Sequence, residues 1–534
     1  MSSCGSFALV LHSHIPYCRK SGVWPFGEEW VFEAMAETYI PILDLLSAIE
    51  SSGLGPRVAV SLSPVLAEQL ADHYMKARFL EYAEMRRKAA AHDIERHEAE
   101  HDDKRALLAR KYAEYYEYVA DRFSNHYDGD LPGALAGLAS RGAVELLATA
   151  ATHAYLPLLS AERARVQMRL GCDACERHFG VRPRGAWLPE CGYRPGVVER
   201  VLTECGIDYF IVDTHAVAGG AVREAYGAEA TCSGGAASPV PILSPSMATL
   251  RPYRLLGSEV SVFARDEVTA AQVWSRETGY PGDGNYREFH RRDSVSGLQY
   301  WRVTSKLLDL GQKQLYDPVA AGDIAREHAA HFGELVAARL VRYRDACGEQ
   351  GLIVAPYDME LFGHWWHEGI VWLKYVLTLL ADDGRVALTT PGAYLDSNRP
   401  SAEISIAECS WGHGGKHGTW ANADTAWMWE SLARAEALHC SLSKKRDTLR
   451  GALLAMADQA GRELILLEAS DWPFLVTTRQ AKEYAEERFL RHLGDFETLA
   501  GAALSGVGDD KAMAALSTIA SRDSLFAWVD GEKL

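Results

Sequence analysis

The sequence predicts an α/β chain: a central parallel sheet, a charged helical insertion and a helical C-terminal region. Three observations support this. Short apolar, β-branched runs recur over roughly the first 390 residues, at Phe7–Leu11, Val58–Leu62, Val144–Thr149, Gly185–Leu188, Tyr209–Val212, Val260–Phe263 and Leu352–Ala355. Amphipathic stretches lie between most of them, the alternation produced by crossover helices joining parallel strands. Beyond about residue 400 the strand pattern stops, and runs such as Ala426–Leu438 and Lys444–Ala457 carry apolar residues three and four apart. Seven strands are clear and an eighth, Val386–Thr389, is short, so the count fits either an incomplete barrel or an open sheet.

Two insertions interrupt the alternation. Residues 65–130 are helical and highly charged, with an aromatic and Leu stripe on one side, which suits a helical pair lying over the sheet. Residues 216–247 (AVAGGAVREAYGAEATCSGGAASPVPILSPSM) have the Gly, Ala, Ser and Pro content of a long mobile loop.

Composition narrows the function classes. The chain has 534 residues, 48% hydrophobic and 24% charged, which is ordinary globular usage. A net charge of −17 opposes attraction to phosphate backbones or anionic lipid, so neither nucleic acid nor a membrane surface is an expected partner. The N-terminal MSSCGSFALVLHSHIPYCRK lacks a basic segment, and its apolar run spans only Phe7 to Leu11, so no signal peptide is expected. The most apolar helical stretch, Ile370–Ala381, carries Lys374, and no membrane span is expected. Ten scattered cysteines are too few for a disulfide scaffold and fit a reducing cytoplasm. Cys172 and Cys175 form a lone CxxC without a second pair to complete a zinc site.

The chemistry is expected where the apolar runs end. The first run ends in His12-Ser13-His14, the third leads from Thr149 to His153, the fourth reaches Glu190 through Trp187-Leu188-Pro189, and the seventh ends in Tyr357-Asp358-Met359-Glu360. In a parallel barrel all four positions fall on the rim where active sites are built. One such residue alone is usually a structural hydrogen-bonding group; four together mark a site. Trp187, Tyr193, Tyr357, Phe362, Trp365 and Trp366 stand near Glu190 and Asp358 in sequence, surroundings that desolvate a carboxyl and raise its pKa toward general-acid use. Two carboxyls among aromatics suit glycoside chemistry, and flat rings stack on sugar faces, a better use for 14 Trp than core packing alone.

Competing motifs are weaker. His97-Glu98-Ala99-Glu100-His101 matches HExxH, but the helix reads as polar all round, with no apolar wall to exclude water. His12-Ser13-His14 is also the kind of metal pair seen in barrel amidohydrolases. That chemistry needs further His or a modified Lys at later strand ends, where Glu190 and Asp358 stand instead. Gly412-His413-Gly414-Gly415-Lys416-His417 lacks the Ser or Thr and the buried strand of a phosphate loop and reads as a Gly-rich turn carrying Trp411 and Trp420.

At these residues the sequence resembles glycoside hydrolase family 57, and within it the 1,4-α-glucan branching members. The resemblance lies in HSHIPY (12–17) with VWPFGEEW (23–30), ELLATAATHAYLPLL (145–159), WLPECGY (187–193), the Phe263–Phe289 stretch with QVWS and GYPGD, YDMELFGHWWHEG (357–369), SWGHGG with Trp420, and SDWPF (470–474). It runs nearly end to end. It implies an incomplete (β/α)7 barrel over residues 1–400, including the insertion and the loop, and a C-terminal α-helical domain over 401–534 that contributes Trp to a glucan groove. It implies Glu190 as nucleophile and Asp358 as general acid/base of a retaining double displacement that cuts an α-1,4 bond and rebuilds it as an α-1,6 branch. His12, His14, His153, Arg265, Trp274, Trp365, Trp411 and Trp420 are the expected substrate contacts. Tyr226, the only Tyr of the 216–247 loop, is the candidate for the loop-tip Tyr of the branching members. No metal and no cofactor is implied, and the partner is an α-glucan. Two other readings stay open: an α-glucan hydrolase of the same fold, and a glucan-binding protein whose carboxyls are inactive.

Overall fold

The structure, a computed structural model, describes residues 3–55, 57–219, 221–223, 229–231, 245–275 and 278–534. Ten strands form the main sheet: β1 Gly5–Ser13, β2 Val58–Leu62, β3 Val144–Ala148, β4 Gly185–Trp187, β5 Tyr209–Val212, β6 Tyr253–Leu255, β7 Ser261–Ala264, β8 Gly351–Asp358, β9 Val386–Leu388 and β10 Glu403–Ile404. Their order is β8-β1-β2-β3-β4-β5-β7-β6-β10, with β9 beside β1. The strands from β8 through β7 pair in parallel throughout. They are the seven that the apolar runs predict. β1 is buried at every position but Ser6, as a strand covered on both faces must be, which is why it reads as a continuous apolar run.

The barrel is incomplete between β7 and β8. No ladder joins these strands among the described residues; Asp266 N–H donates to Val354 C=O at 3.0 Å where one would run. The predicted eighth strand does not close the gap. β9 pairs instead with residues 5–7 of β1. Two further strands escape the sequence pattern. β6 runs antiparallel to β7, and β10 pairs with β6, so strand structure continues just past residue 400. With three and two residues, neither is long enough to show a period.

The 65–130 insertion is a helical hairpin, α1 His73–Ala99 against α2 Asp103–Asp121. Its reading as a helix polar all round is corrected here. α1 buries Met75, Phe79, Tyr82, Arg86, Ala90, Asp93 and His97, a face at helical spacing whose far end is polar. Those polar groups are buried because a distant segment supplies their partners. Arg96 donates to Asp93 at 2.7 Å and to Asp293 at 2.8 Å, and Tyr300 Oη donates to Asp93 at 2.7 Å. His101 lies beyond the end of α1 at φ 58°, so the two His of HEAEH do not share a helix face.

After α3, Pro318–Cys347, which leads into β8, the C-terminal region packs α4 Ala426–Lys445, α5 Ala452–Leu467, α6 Asp471–Thr478, α7 Lys482–Ser505 and α8 Asp510–Arg522. It meets the sheet at its carboxyl ends, through backbone bridges of Ala469 to Ala154 and Cys409 to Tyr193. No helix among the described residues is long and apolar enough to cross a membrane. Cys172 and Cys175 are buried free thiols.

Candidate active site

A cavity of about 840 Å³ opens between the carboxyl ends of the strands and the C-terminal helices, within the usual range for ligand sites. It brings together His12, His14, His153, Glu190, Arg265, Trp274, Asp358, Trp365, Trp411 and Trp420. Tyr226 and most of the 216–247 loop lie outside the described residues.

Glu190 sits on the turn that follows β4 in an uncommon backbone state, φ 60° and ψ 24°, and Cys191 follows at φ 51°. A left-handed non-Gly residue costs about 1–2 kcal/mol and persists only when its surroundings hold it. Here Cys191 N–H donates to Leu188 C=O at 2.9 Å, Gly192 N–H to Pro189 C=O at 3.0 Å, and Trp411 N–H to Glu190 C=O at 3.1 Å. The Trp411 indole N–H also donates to Glu190 Oε2, so one residue of the Gly-rich turn fixes both backbone and carboxylate. That turn must pass close to Trp420: a Cβ on Gly412 would come 2.6 Å from the Trp420 ring. Burial pushes the Glu190 carboxyl up to about 7; the Trp411 N–H and His14 pull it down, and Asp471 adds to the rise.

Asp358 closes β8, level with His12 of β1 in the ladder. Burial holds it well above the ordinary carboxyl range, Glu360 and then Glu190 raise it further, and Arg265 opposes. Arg265 is already committed, donating to Asp213 at 2.8 Å. Burial works against the Asp213 charge, but Arg265 brings that carboxyl down to about 2. Both carboxyls are therefore raised, Glu190 with an indole N–H that favours its ionised form and Asp358 beside two carboxyls that hold its proton on.

Three imidazoles stack beside the carboxyls, His14 on His153 at 4.0 Å and His153 on His12 at 4.9 Å, with Trp187 under His12 at 5.0 Å. Every ring nitrogen has a partner. His12 Nε2 meets His153 Nε2 at 2.9 Å and His12 Nδ1 meets Ser61 Oγ at 3.3 Å, while His14 Nδ1 meets Ser63 Oγ at 2.9 Å. The C-terminal region supplies the other two contacts: Ser470 Oγ to His153 Nδ1 at 2.9 Å, and the Asp471 carboxylate to His14 Nε2 at 3.0 and 3.1 Å.

Sequence reasoning missed several groups. Ser470 and Asp471 lie in SDWPF and Glu360 in YDMELFG, so the motifs contained them, but nothing local distinguishes them from their neighbours. Trp24, Phe26, Trp30, Phe289 and Phe474 also line the cavity. The aromatic surroundings are corrected accordingly. Of the rings near Glu190 and Asp358 in sequence, Trp365 reaches the cavity, whereas Tyr193, Tyr357, Phe362 and Trp366 are core. Six of the 14 Trp line the cavity, while Trp187, Trp366, Trp372 and Trp472 are buried outside it, so the site takes a large share of the Trp content and core packing takes part of the rest.

Two clusters of described residues have the donor set for a cation, Asp93–His97–Asp293 and Glu463–His492–Asp523. Arginine already occupies both. Arg96 bridges the first, and Arg522 and Arg488 bind Asp523 and His492 in the second.

Over 516 residues the chain is 43% identical to the 1,4-alpha-glucan branching enzyme TK1436 of Thermococcus kodakarensis, covering 93% of this chain and 73% of that protein. The crystal structure of TK1436 superposes with a TM-score of 0.89 over 99% of this chain and 96% of that one. The GH57-type branching enzyme of Pyrococcus horikoshii gives 0.89 at 38% identity, covering 99% and 96%. The alpha-amylase AmyC of Thermotoga maritima gives 0.85 at 31% identity, covering 99% and 98%. Residues 431–533 match the 1,4-alpha-glucan branching enzyme C-terminal family. Residues 8–407, which hold both carboxyl-bearing turns, match glycosyl hydrolase family 57, and the chain belongs to that family.

Proposed function

We propose that the chain is a 1,4-α-glucan branching enzyme in which Glu190 is the nucleophile and Asp358 the general acid/base of a retaining double displacement. The observation that carries the assignment of roles is the difference in partners of two carboxyls in one cavity. The nucleophile must be ionised when the acid is protonated; the Trp411 indole N–H donates to Glu190 and favours its ionised form, while Asp358 has Glu360 and Glu190 as neighbours that favour its protonated one.

In the first step Glu190 attacks C1 of an α-1,4-linked glucose, and the Asp358 proton goes to the departing O4, giving a covalent glycosyl enzyme. In the second, Asp358 takes the proton of a C6 hydroxyl as that oxygen bonds to C1 and the ester to Glu190 breaks. Two inversions leave the anomeric configuration retained. Arg265 stays protonated against Asp213 and needs no part in proton transfer. Trp411 keeps the nucleophile aimed in both steps.

The likeness to TK1436 and the C-terminal match support branching over hydrolysis, and the likeness to AmyC keeps hydrolysis as the second reading. The free thiols among the described cysteines support work in a reducing cytoplasm. Amylose incubated with the enzyme and then analysed with and without a debranching enzyme tests the proposal. New α-1,6 linkages exceeding new reducing ends are expected; reducing ends with almost no branches would overturn branching in favour of hydrolysis.

A further inference from the structure

Among the other carboxyls that line the cavity, one stands two residues from Asp358, and neither step of the double displacement uses it. Glu360 lies two residues after Asp358 on the short 3₁₀ turn Met359–Leu361 and lines the cavity with its side chain 4% exposed. Its Oε1 accepts from Ser13 Oγ at 2.5 Å and from Tyr39 Oη at 2.6 Å. Ser13 stands between His12 and His14 on β1. Tyr39 ends a π-helical turn, Met35–Tyr39, that Thr38 ties to the Glu360 segment by donating to Phe362 C=O at 3.0 Å. Two separate elements thus hold one oxygen of this side chain.

Both donors are neutral hydroxyls. They orient the carboxyl and favour its ionised form, opposing the rise that burial imposes on Glu360 itself. The cations of the cavity wall are engaged elsewhere, Arg265 with Asp213 at 2.8 Å and Arg292 with Glu33 at 3.0 Å. The other titratable acids and imidazoles that line the cavity are His12 and His14 from β1, Glu29, Glu33, His153, Glu190 from the turn after β4, His364, His413 and Asp471 from α6. Burial raises Asp358, and of the two carboxylates that add to the rise, Glu360 contributes more than Glu190. The two differ in a second respect. Glu190 loses its charge on becoming an ester, whereas Glu360 forms no covalent bond in either step.

Resting on the assignment of Asp358 as acid/base, we propose that Glu360 is a positioning residue that acts through Asp358, a fixed negative charge that keeps its proton on for the first step and strengthens it as a base for the second. In the glycosyl enzyme, with Glu190 esterified, Glu360 is what keeps Asp358 basic enough to take the proton of the acceptor hydroxyl.

Glu360→Gln keeps an oxygen for Ser13 and Tyr39 and removes the charge. The basic limb of kcat/KM against pH is expected to move down by about one unit, and turnover of an activated aryl α-glucoside, limited by the second step, to fall about tenfold. Glu360→Met, uncharged and of similar volume, is expected to move the limb equally if the Gln variant folds poorly. Glu360→Asp, which keeps the charge, is expected to leave the limb in place even where it lowers kcat. A purely structural role predicts lower activity with an unmoved limb in all three variants, and that result overturns the proposal. Asp358→Asn separates the two levels. A basic limb that survives it overturns the assignment of Asp358 itself; a limb that it abolishes but Glu360→Gln leaves in place overturns the role of Glu360 alone.

Discussion

Two of the places where this molecule gathers charge contrast in a way that shows what distinguishes a scaffold from a site. At the end of the α1–α2 hairpin, Asp93 and Asp293 are both reached by Arg96. Burial works against the Asp293 charge, yet the Val295 N–H and Arg96 hold it below its ordinary range. At the barrel rim, Glu190 and Asp358 are half-buried without a cation of their own, and both rise. The hairpin carries the motif that looks catalytic, HEAEH, and uses its polar groups as adhesive. The rim leaves its carboxyls uncompensated, and that imbalance is what proton transfer exploits.

The sharpest test of the contrast is at the nucleophile. Glu190→Gln should cut branching activity by roughly 10³ or more, and added azide should restore part of the turnover as a β-glycosyl azide. Near-normal activity would remove Glu190 from the mechanism. Asp358→Asn should cost on the order of 10² or more with amylose and much less at the first step with an activated aryl glycoside, which needs little protonation. Equal losses with good and poor leaving groups would mean that another group is the acid.

The hairpin should respond in the opposite way. Arg96→Met strands two buried carboxylates and should destabilise the fold by about 3 kcal/mol in denaturant titrations, while kcat per folded molecule stays at the wild-type value. A large fall in kcat with little loss of stability would mean that this cluster is functional after all. The smallest effect expected is a gain. The Glu190 carboxyl, normally near 4.5, is raised to about 7 in the fold, so its contribution to stability is full below about pH 4.5 and is lost as pH rises through about 7. Glu190→Gln should therefore stabilise the protein at pH 8 by an amount on the order of 2–3 kcal/mol, with the gap closing by pH 4. An equal or larger gap at pH 4 would contradict the raised pKa.

What the sequence reveals follows the range of the interactions. The seven parallel strands are legible because each is buried on both faces and reads as an apolar run; β6 and β10 are too short to do so. Glu190 and Asp358 are legible because they end such runs. The left-handed backbone of Glu190 is not, since Trp411, more than two hundred positions away, holds it in place. His97 is misread for the same reason: its helix looks polar until the 293–300 segment covers that face. His14 and His153 are visible as rim residues, but their partners Asp471 and Ser470 are 457 and 317 positions distant.

Those last two contacts bear on when the molecule becomes active during its synthesis. The seven parallel strands, Glu190 and Asp358 all lie before residue 360, and domains fold as they emerge. Yet Ser470 and Asp471 are the partners of His153 and His14, and residues 470–481 supply part of the cavity wall. A nascent chain stopped short of Ser470, or a mature one cleaved there, holds both carboxyls on a finished rim beside imidazoles with unmet hydrogen bonds and an open flank. The pocket is complete only once the C-terminal helices are in place.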